Sequence, residues 1–271
     1  MPAKVKFYGF QGSNSVYTGR LMLEHKGLDY KPVMLPPAAH AFIMLGLGFE
    51  TMGVPALKID GLRVQGTRAI SRALDELVAQ KPLFPADPAR RKAVQDVERW
   101  GEGFQNAVRR VFYCAARRDH KVFKSVMIPE RALPMRIVLH AATPVIIRLA
   151  AGAHRASDAA GREDLELLPE YLDQIDAWIA EGLLDGPQLN AADFQIAVNL
   201  AALLLSDDLR PFVENRPAAA LARRVAPHYV GHLGASILPH EWLASLRDDA
   251  AKKAAGGATA ADHPAAAVPV V

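Results

Sequence analysis

Along the first eighty residues the apolar and polar positions alternate, then repeat at helical spacing, then alternate again. Val5 to Tyr8 alternates like a strand, and Gly9 to Ser13 has the composition of a loop. Tyr17 to Lys26 reads as a helix with Leu21, Met22 and Leu23 among its apolar positions, and Gly27 is placed to stop it. A second strand is predicted from Tyr30 to Leu35, so the order strand, helix, strand implies a βαβ unit with a parallel pair. After an apolar, glycine-rich stretch from His40 to Gly53, the runs Ala56 to Ile59 and Leu62 to Gln65 flank Asp60-Gly61. Asp-Gly between alternating runs is the strongest short-range signal for a hairpin. Thr67 is positioned to cap a helix reaching about Val78, with Ile70, Leu74 and Leu77 on one face. The result is a βαβ-ββα layout, an α/β domain over residues 1–80.

The pattern changes after the linker Lys81 to Pro88, which holds three prolines. From Pro88 to about Leu246 the spacing is helical, broken only at prolines and glycines, so an all-α domain is expected over 88–248. Residues 250–271 are rich in Ala, Gly and Pro with little to pack, and a disordered tail is expected there.

Composition narrows the function classes. A chain of 271 residues with a net charge of +3 against 29 acidic residues has too small a basic excess to point to nucleic acid. Cys114 is the single cysteine, so neither an intrachain disulfide nor a cysteine-rich metal site can form. That suits a reducing cytoplasm. The histidines are scattered singly, without metal-ligand spacing. The N-terminus turns polar at once, unlike a signal peptide. The longest apolar stretch, Ile137 to Ile147, is interrupted by His140 and closed by Arg136 and Arg148, short of the ~20 residues that span a bilayer. A soluble, cytoplasmic protein without a membrane partner is expected; attachment to a membrane surface through Ile137 to Ala151 is a weaker alternative to a buried helix.

Val54-Pro55 stands where the third strand should begin. Proline removes a ladder donor and belongs at an edge, and a cis bond there would turn the backbone of Val54 outward toward a ligand. With the Asp-Gly hairpin, the Thr67-Arg68-Ala69-Ile70 helix start and an all-helical second half, this arrangement resembles the cytosolic glutathione transferase family. Arg20 to Leu28 is similar to that family's first helix, and Leu83 to Trp100 to its linker and long fourth helix. Asn190 to Ala197, NAADFQIA, is similar to its capping box, in which Asn190 and Asp193 satisfy each other's helix-start donors.

The resemblance implies a thioredoxin-like first domain, homodimerisation, glutathione or a similar small thiol as co-substrate, and conjugation of apolar electrophiles of the kind that detoxification requires. It makes Ser13 the hydroxyl facing the thiol sulfur, with Ser15 or Tyr8 as alternatives and simple helix capping as the bland role of Ser13. A hydroxyl donor at a helix N-terminus stabilises the thiolate, the reactive form of a thiol whose free pKa is ~8.5. The absence of a loop cysteine removes thiol-disulfide chemistry. The resemblance also puts Val54 and Pro55 against the cysteinyl part of glutathione and Thr67 at the γ-glutamyl carboxylate. Gly66 replaces the usual glutamate, which leaves Gln65 or Arg68 to compensate. Asn14 replaces a usual proline, and Gly46 to Met52 lacks the usual cation for the glycyl carboxylate, while His40 is at the spacing of a polar contact in some members. The electrophile pocket is expected on the fourth helix at Gln105, Arg109 and Tyr113, with Phe112 near them; Arg109 and Arg110 could balance an anionic substrate or form a solvated face. Loss of the thiol site would leave a binding or scaffold protein of the same fold.

Overall fold

The computed structural model describes residues 4–37, 39–128 and 133–261. Strands β1 (Val5–Gly9), β2 (Lys31–Met34), β3 (Ala56–Ile59) and β4 (Leu62–Gln65) form one sheet in the order β2-β1-β3-β4. β1 and β2 run parallel, with Phe7 opposite Pro32 and Tyr8 opposite Val33; β1 and β3 run antiparallel, with Phe7 opposite Leu57. Asp60 and Gly61 both take positive φ, +47° and +100°, at the β3–β4 turn. Positive φ at both central positions is the turn whose twist matches that of the strands.

Helices α1 (Asn14–His25) and α3 (Thr67–Leu77) pack beside each other on this sheet, and α2 (His40–Gly46) follows β2. α1 starts three residues before the expected Tyr17, because Ser13 Oγ accepts the Val16 N–H at 3.4 Å and caps it. α3 corrects the reading of Thr67. The cap residue is Gly66, at φ +90°, and Thr67 is the first helical residue. Ile70 and Leu74 are buried as the spacing implied, whereas Leu77 at the end of the helix is exposed. Met44 and Phe49 of the His40–Gly53 stretch join Tyr8, Leu35 and Ala56 in a small apolar cluster, and Tyr8 meets Phe49 edge to face at 5.3 Å.

Among the described residues the second half consists of helices joined by turns and loops: α4 (Pro88–Arg118), α5 (His120–Met127), α6 (Leu133–Ala153), α7 (Asp158–Glu166), α8 (Leu168–Ala180), α9 (Ala191–Leu204), α10 (Arg210–Val213), α11 (Pro217–Val225), a 3-10 turn (His240–Leu243) and α12 (Ala244–Ala261). α9 is buried on nearly every side, between α4, α11 and α1. Its entry is a full capping box: Asn190 Oδ1 accepts the Ala192 and Asp193 N–H groups, and Asp193 Oδ2 accepts the Asn190 N–H at 2.8 Å. Trp100 stacks on Phe104 and meets Trp178 edge to face, and Trp242 is buried, so all three tryptophans serve packing.

Two readings of the second half are corrected. The expected disordered tail is helical from Ala250 to Ala261, within α12, and residues 262–271 lie outside the described residues. In α6 the segment Arg136–Ala153, 18 residues at a mean hydropathy of 1.3, is long and apolar enough to cross a membrane by length and composition, beyond the shorter run read from sequence. It packs one face on α4 and α5 through Leu139, Ile146, Ile147 and Ala151, and leaves Ile137, Val138, Val145 and Leu149 exposed.

Candidate active site

The site grows out of the turn between β1 and α1. Ser13 ends that loop in an extended conformation, and its Oγ lies 3.1 Å from Ser15 Oγ. Ser15 Oγ donates to the carbonyl of Val54 at 3.4 Å, a long and therefore weak contact that a better donor can replace. The Val54–Pro55 bond is cis, as expected, and the Pro55 carbonyl accepts the Gly66 N–H at 2.9 Å. That bond places the N-terminus of α3 directly behind the Val54–Pro55 turn. Pro55 and Thr67 are themselves buried.

Ser13, Ser15 and Val54 form one wall of a cavity of about 300 Å³ between the two halves. Such a volume is at the lower end of small-molecule pockets. His40 and Phe10 stand beside them, their rings 4.7 Å apart, and the buried His40 Nδ1 has no hydrogen-bond partner among the described residues. Burial lowers the His40 pKa, so the ring is neutral and can accept a proton or a hydrogen bond. The facing wall comes from α4 and the segment after α6: Val108, Arg109, Phe112, Tyr113 and His154. Tyr113 and His154 stack at 5.5 Å with 15° between their planes. Burial, helped by the Arg109 charge, drives the His154 pKa down to about 4.

Not every residue singled out from the sequence reaches this cavity. Gln105 is buried and accepts from Gln195 Nε2 at 2.6 Å, inside the helical core. Gln65 is fully engaged with the loop before β3: its Nε2 donates to the carbonyls of Thr51 and Gly53, and its Oε1 accepts the Thr51 N–H. Arg68 pairs with Glu102 across the α3–α4 junction at 3.1 Å. Neither lines the cavity, nor do Pro55 and Thr67, and the polar groups of Gln65 and the charge of Arg68 are already engaged within the protein. Tyr8 packs under α2. Arg110 is paired, in a two-pronged contact with Asp164.

The comparisons with known proteins join this geometry to a family. Residues 7–82 match the family model of the glutathione S-transferase N-terminal domain. The first domain is thus similar to that family's N-terminal domain. The whole chain has the glutathione S-transferase fold, a mixed four-stranded sheet followed by a helical domain. It is similar to a theta class glutathione S-transferase from Xanthomonas axonopodis pv. citri solved with glutathione bound, at 19% identity and a TM-score of 0.56 over 84% of this chain and 96% of that one. It is similar also to the beta-etherase LigF from Sphingobium, at 16% identity and a TM-score of 0.61 over 90% and 99%. FzlA from C. crescentus superposes over 89% and 98% at 17% identity and a TM-score of 0.54. No curated protein matches the sequence.

Within this glutathione S-transferase fold, three site residues escaped the sequence. His154 follows α6, Tyr229 lies in the loop after α11, and Asn199 is in the middle of α9. Asn199 Oδ1 accepts from Asn14 Nδ2 at 2.7 Å, and the Tyr229 hydroxyl donates to Asn14 Oδ1, so the residue standing in place of the usual proline ties the two halves together. The contacts cross 185 and 215 positions of sequence. No local signal announces them, although NAADFQIA marks the helix that carries Asn199.

Proposed function

We propose that the protein binds a small thiol, glutathione first among them, on its first domain and adds the thiol sulfur to an electrophile held in the interdomain cavity. The observation that carries this reading is the shared cavity itself, with the Ser13 and Ser15 hydroxyls and the Val54 backbone on one wall and Arg109, Phe112 and Tyr113 on the other. A thiol loses its proton, the thiolate forms the new carbon–sulfur bond, and the displaced electron pair leaves with the leaving group or takes up a proton from solvent. The protein's part is to lower the thiol pKa and hold the partners close. Ser13, or Ser15 once a ligand N–H replaces its bond to the Val54 carbonyl, donates to the thiolate. The N-terminus of α3 offers its free N–H groups to the γ-glutamyl carboxylate, near Thr67. A neutral His40 with an unpartnered nitrogen stands beside the same wall. A cytoplasmic homodimer without nucleic-acid or membrane partners completes the proposal. The exposed Phe42, Ile43, Leu45 and Met52 around α2 supply an apolar face for such a dimer contact.

A second reading, a binding or scaffold protein without catalysis, is favoured by Gly66, which brings no carboxylate, and by Gln65, whose polar groups are already engaged. Calorimetric titration with glutathione, followed by product absorbance with 1-chloro-2,4-dinitrobenzene, separates the two. Binding and turnover support the transferase. No heat with glutathione and no thermal shift leave the binding protein.

A further inference from the structure

Arg109 is a half-buried guanidinium on the cavity wall, and among the described residues no carboxylate pairs with it. One of its nitrogens donates to Asn106 Oδ1 at 2.9 Å, and Arg110 beside it adds a like charge. The other cationic side chains of α4 in similar settings are matched: Arg110 by Asp164, and Arg117 and Arg118 by Asp158. Removing a guanidinium from water without a partner is costly, and its remaining N–H donors form a planar fork suited to a carboxylate. Two further groups sit at the same wall without a partner among the described residues, the Tyr113 hydroxyl and the ring nitrogens of His154. Arg109 and Tyr113 are four residues apart on α4 and so share a face, while the His154 ring is held parallel to that of Tyr113. Next to these groups the cavity has apolar lining from Val108, Phe112, Met127 and Leu203 among others.

We propose that Arg109, assisted by Tyr113 and His154, is an anion-recognition site that selects electrophiles carrying a carboxylate on a small apolar or aromatic body. The apolar lining takes the body, the guanidinium takes the carboxylate, and the reactive carbon is left facing Ser13, Ser15 and Val54. As a statement about electrophiles this rests on the transferase reading; as a statement about binding it stands apart from it.

The test uses a matched pair of probes of equal shape, cinnamate and cinnamamide, titrated into the full chain without thiol at neutral pH. Cinnamate is expected to bind at least tenfold more tightly than the amide, and its affinity to fall as salt is raised. Arg109→Gln should bring cinnamate down to the affinity of the amide, and Arg109→Lys should restore part of the difference. If Arg109→Gln fails to fold, the wild-type pair, Arg109→Lys and His154→Asn still decide. Equal affinity for the two probes, no binding of either, or an unchanged preference in Arg109→Gln overturns the proposal. A glutathione titration of the same samples keeps the two ideas separate. Charge discrimination without glutathione binding would retain the anion site and remove the transferase; glutathione binding without charge discrimination would do the reverse.

Discussion

Asn14, the first residue of α1, donates from its side-chain amide to Oδ1 of Asn199 in the centre of α9 at 2.7 Å, and its own Oδ1 accepts from the Tyr229 hydroxyl. Asn199 in turn donates to the Gln195 carbonyl at 2.7 Å, and Gln195 Nε2 donates to Gln105. A polar chain therefore runs from the start of the first helix into the core of the second half. Its members are buried or half-buried, so breaking it leaves donors without water. Asn199→Leu should destabilise the protein by about 1–3 kcal/mol per group left unpaired. Urea unfolding, with comparison to Asn14→Leu and to the double variant, checks this; simple additivity of the two would show that the contact is energetically idle.

Lys26 and Asp75 form a second cross-link. The Lys26 side chain is fully buried and donates to Asp75 at 2.7 Å and to the Val78 carbonyl at 2.8 Å, while Asp75 also accepts the Leu83 N–H. Removing one member of a buried pair strands the other, which costs about 3–5 kcal/mol. Lys26→Met should accordingly lower the urea midpoint steeply, and more than the same substitution at exposed Lys92, whose pair with Asp96 is on the surface.

Ser13 has two tasks that substitution can separate. As the cap of α1 its hydroxyl contributes to stability, and replacement by Ala should cost about 1 kcal/mol whereas Gly costs only a few tenths. Both variants lose the donor to the thiolate. Under the transferase reading, the pKa of bound glutathione, followed by thiolate absorbance, should rise equally in Ser13→Ala and Ser13→Gly, with Ala lowering the melting temperature more than Gly. An unchanged thiol pKa in both would transfer the role to Ser15.

His154 predicts a pH dependence of stability. Its folded pKa of about 4 is below the ordinary 6.5, so between these values the unfolded chain binds the proton more tightly. The contribution of His154 is fully present above pH 6.5 and is lost as pH falls toward 4. His154→Phe, which keeps a ring against Tyr113, should flatten the fall in melting temperature across that window. An anion seated on Arg109 would offset the charge that helps depress the His154 pKa, so cinnamate should raise it, an effect measurable by NMR titration of the ring.

Much of the fold was legible because its signals are local. Alternation, the Asp60-Gly61 turn, the prolines before Asp87 and the Asn190–Asp193 capping box each act within a few residues, where backbone conformation is set by steric preference and short-range hydrogen bonds. Thr67 was misread as a cap because the local pattern favours a hydroxyl there, whereas Gly66 alone reaches φ +90° without strain. Ser13 and Val54 came from the family resemblance and Arg109 and Tyr113 from their spacing on the long fourth helix; that the four line one cavity is a feature of the tertiary structure.

What the sequence by itself determined is the order and kind of the elements, the two-part organisation and the identity of the groups available for chemistry. What only the tertiary structure decided is which of those groups meet. It brought His154 to Tyr113 and Tyr229 to Asn14, and it spent Gln65 on the loop before β3 and Gln105 on Gln195. The reason is physical. A side chain's partners across the domain junction depend on how two helical layers and a sheet pack, and close packing fixes those distances through many weak contacts that no short stretch of sequence contains.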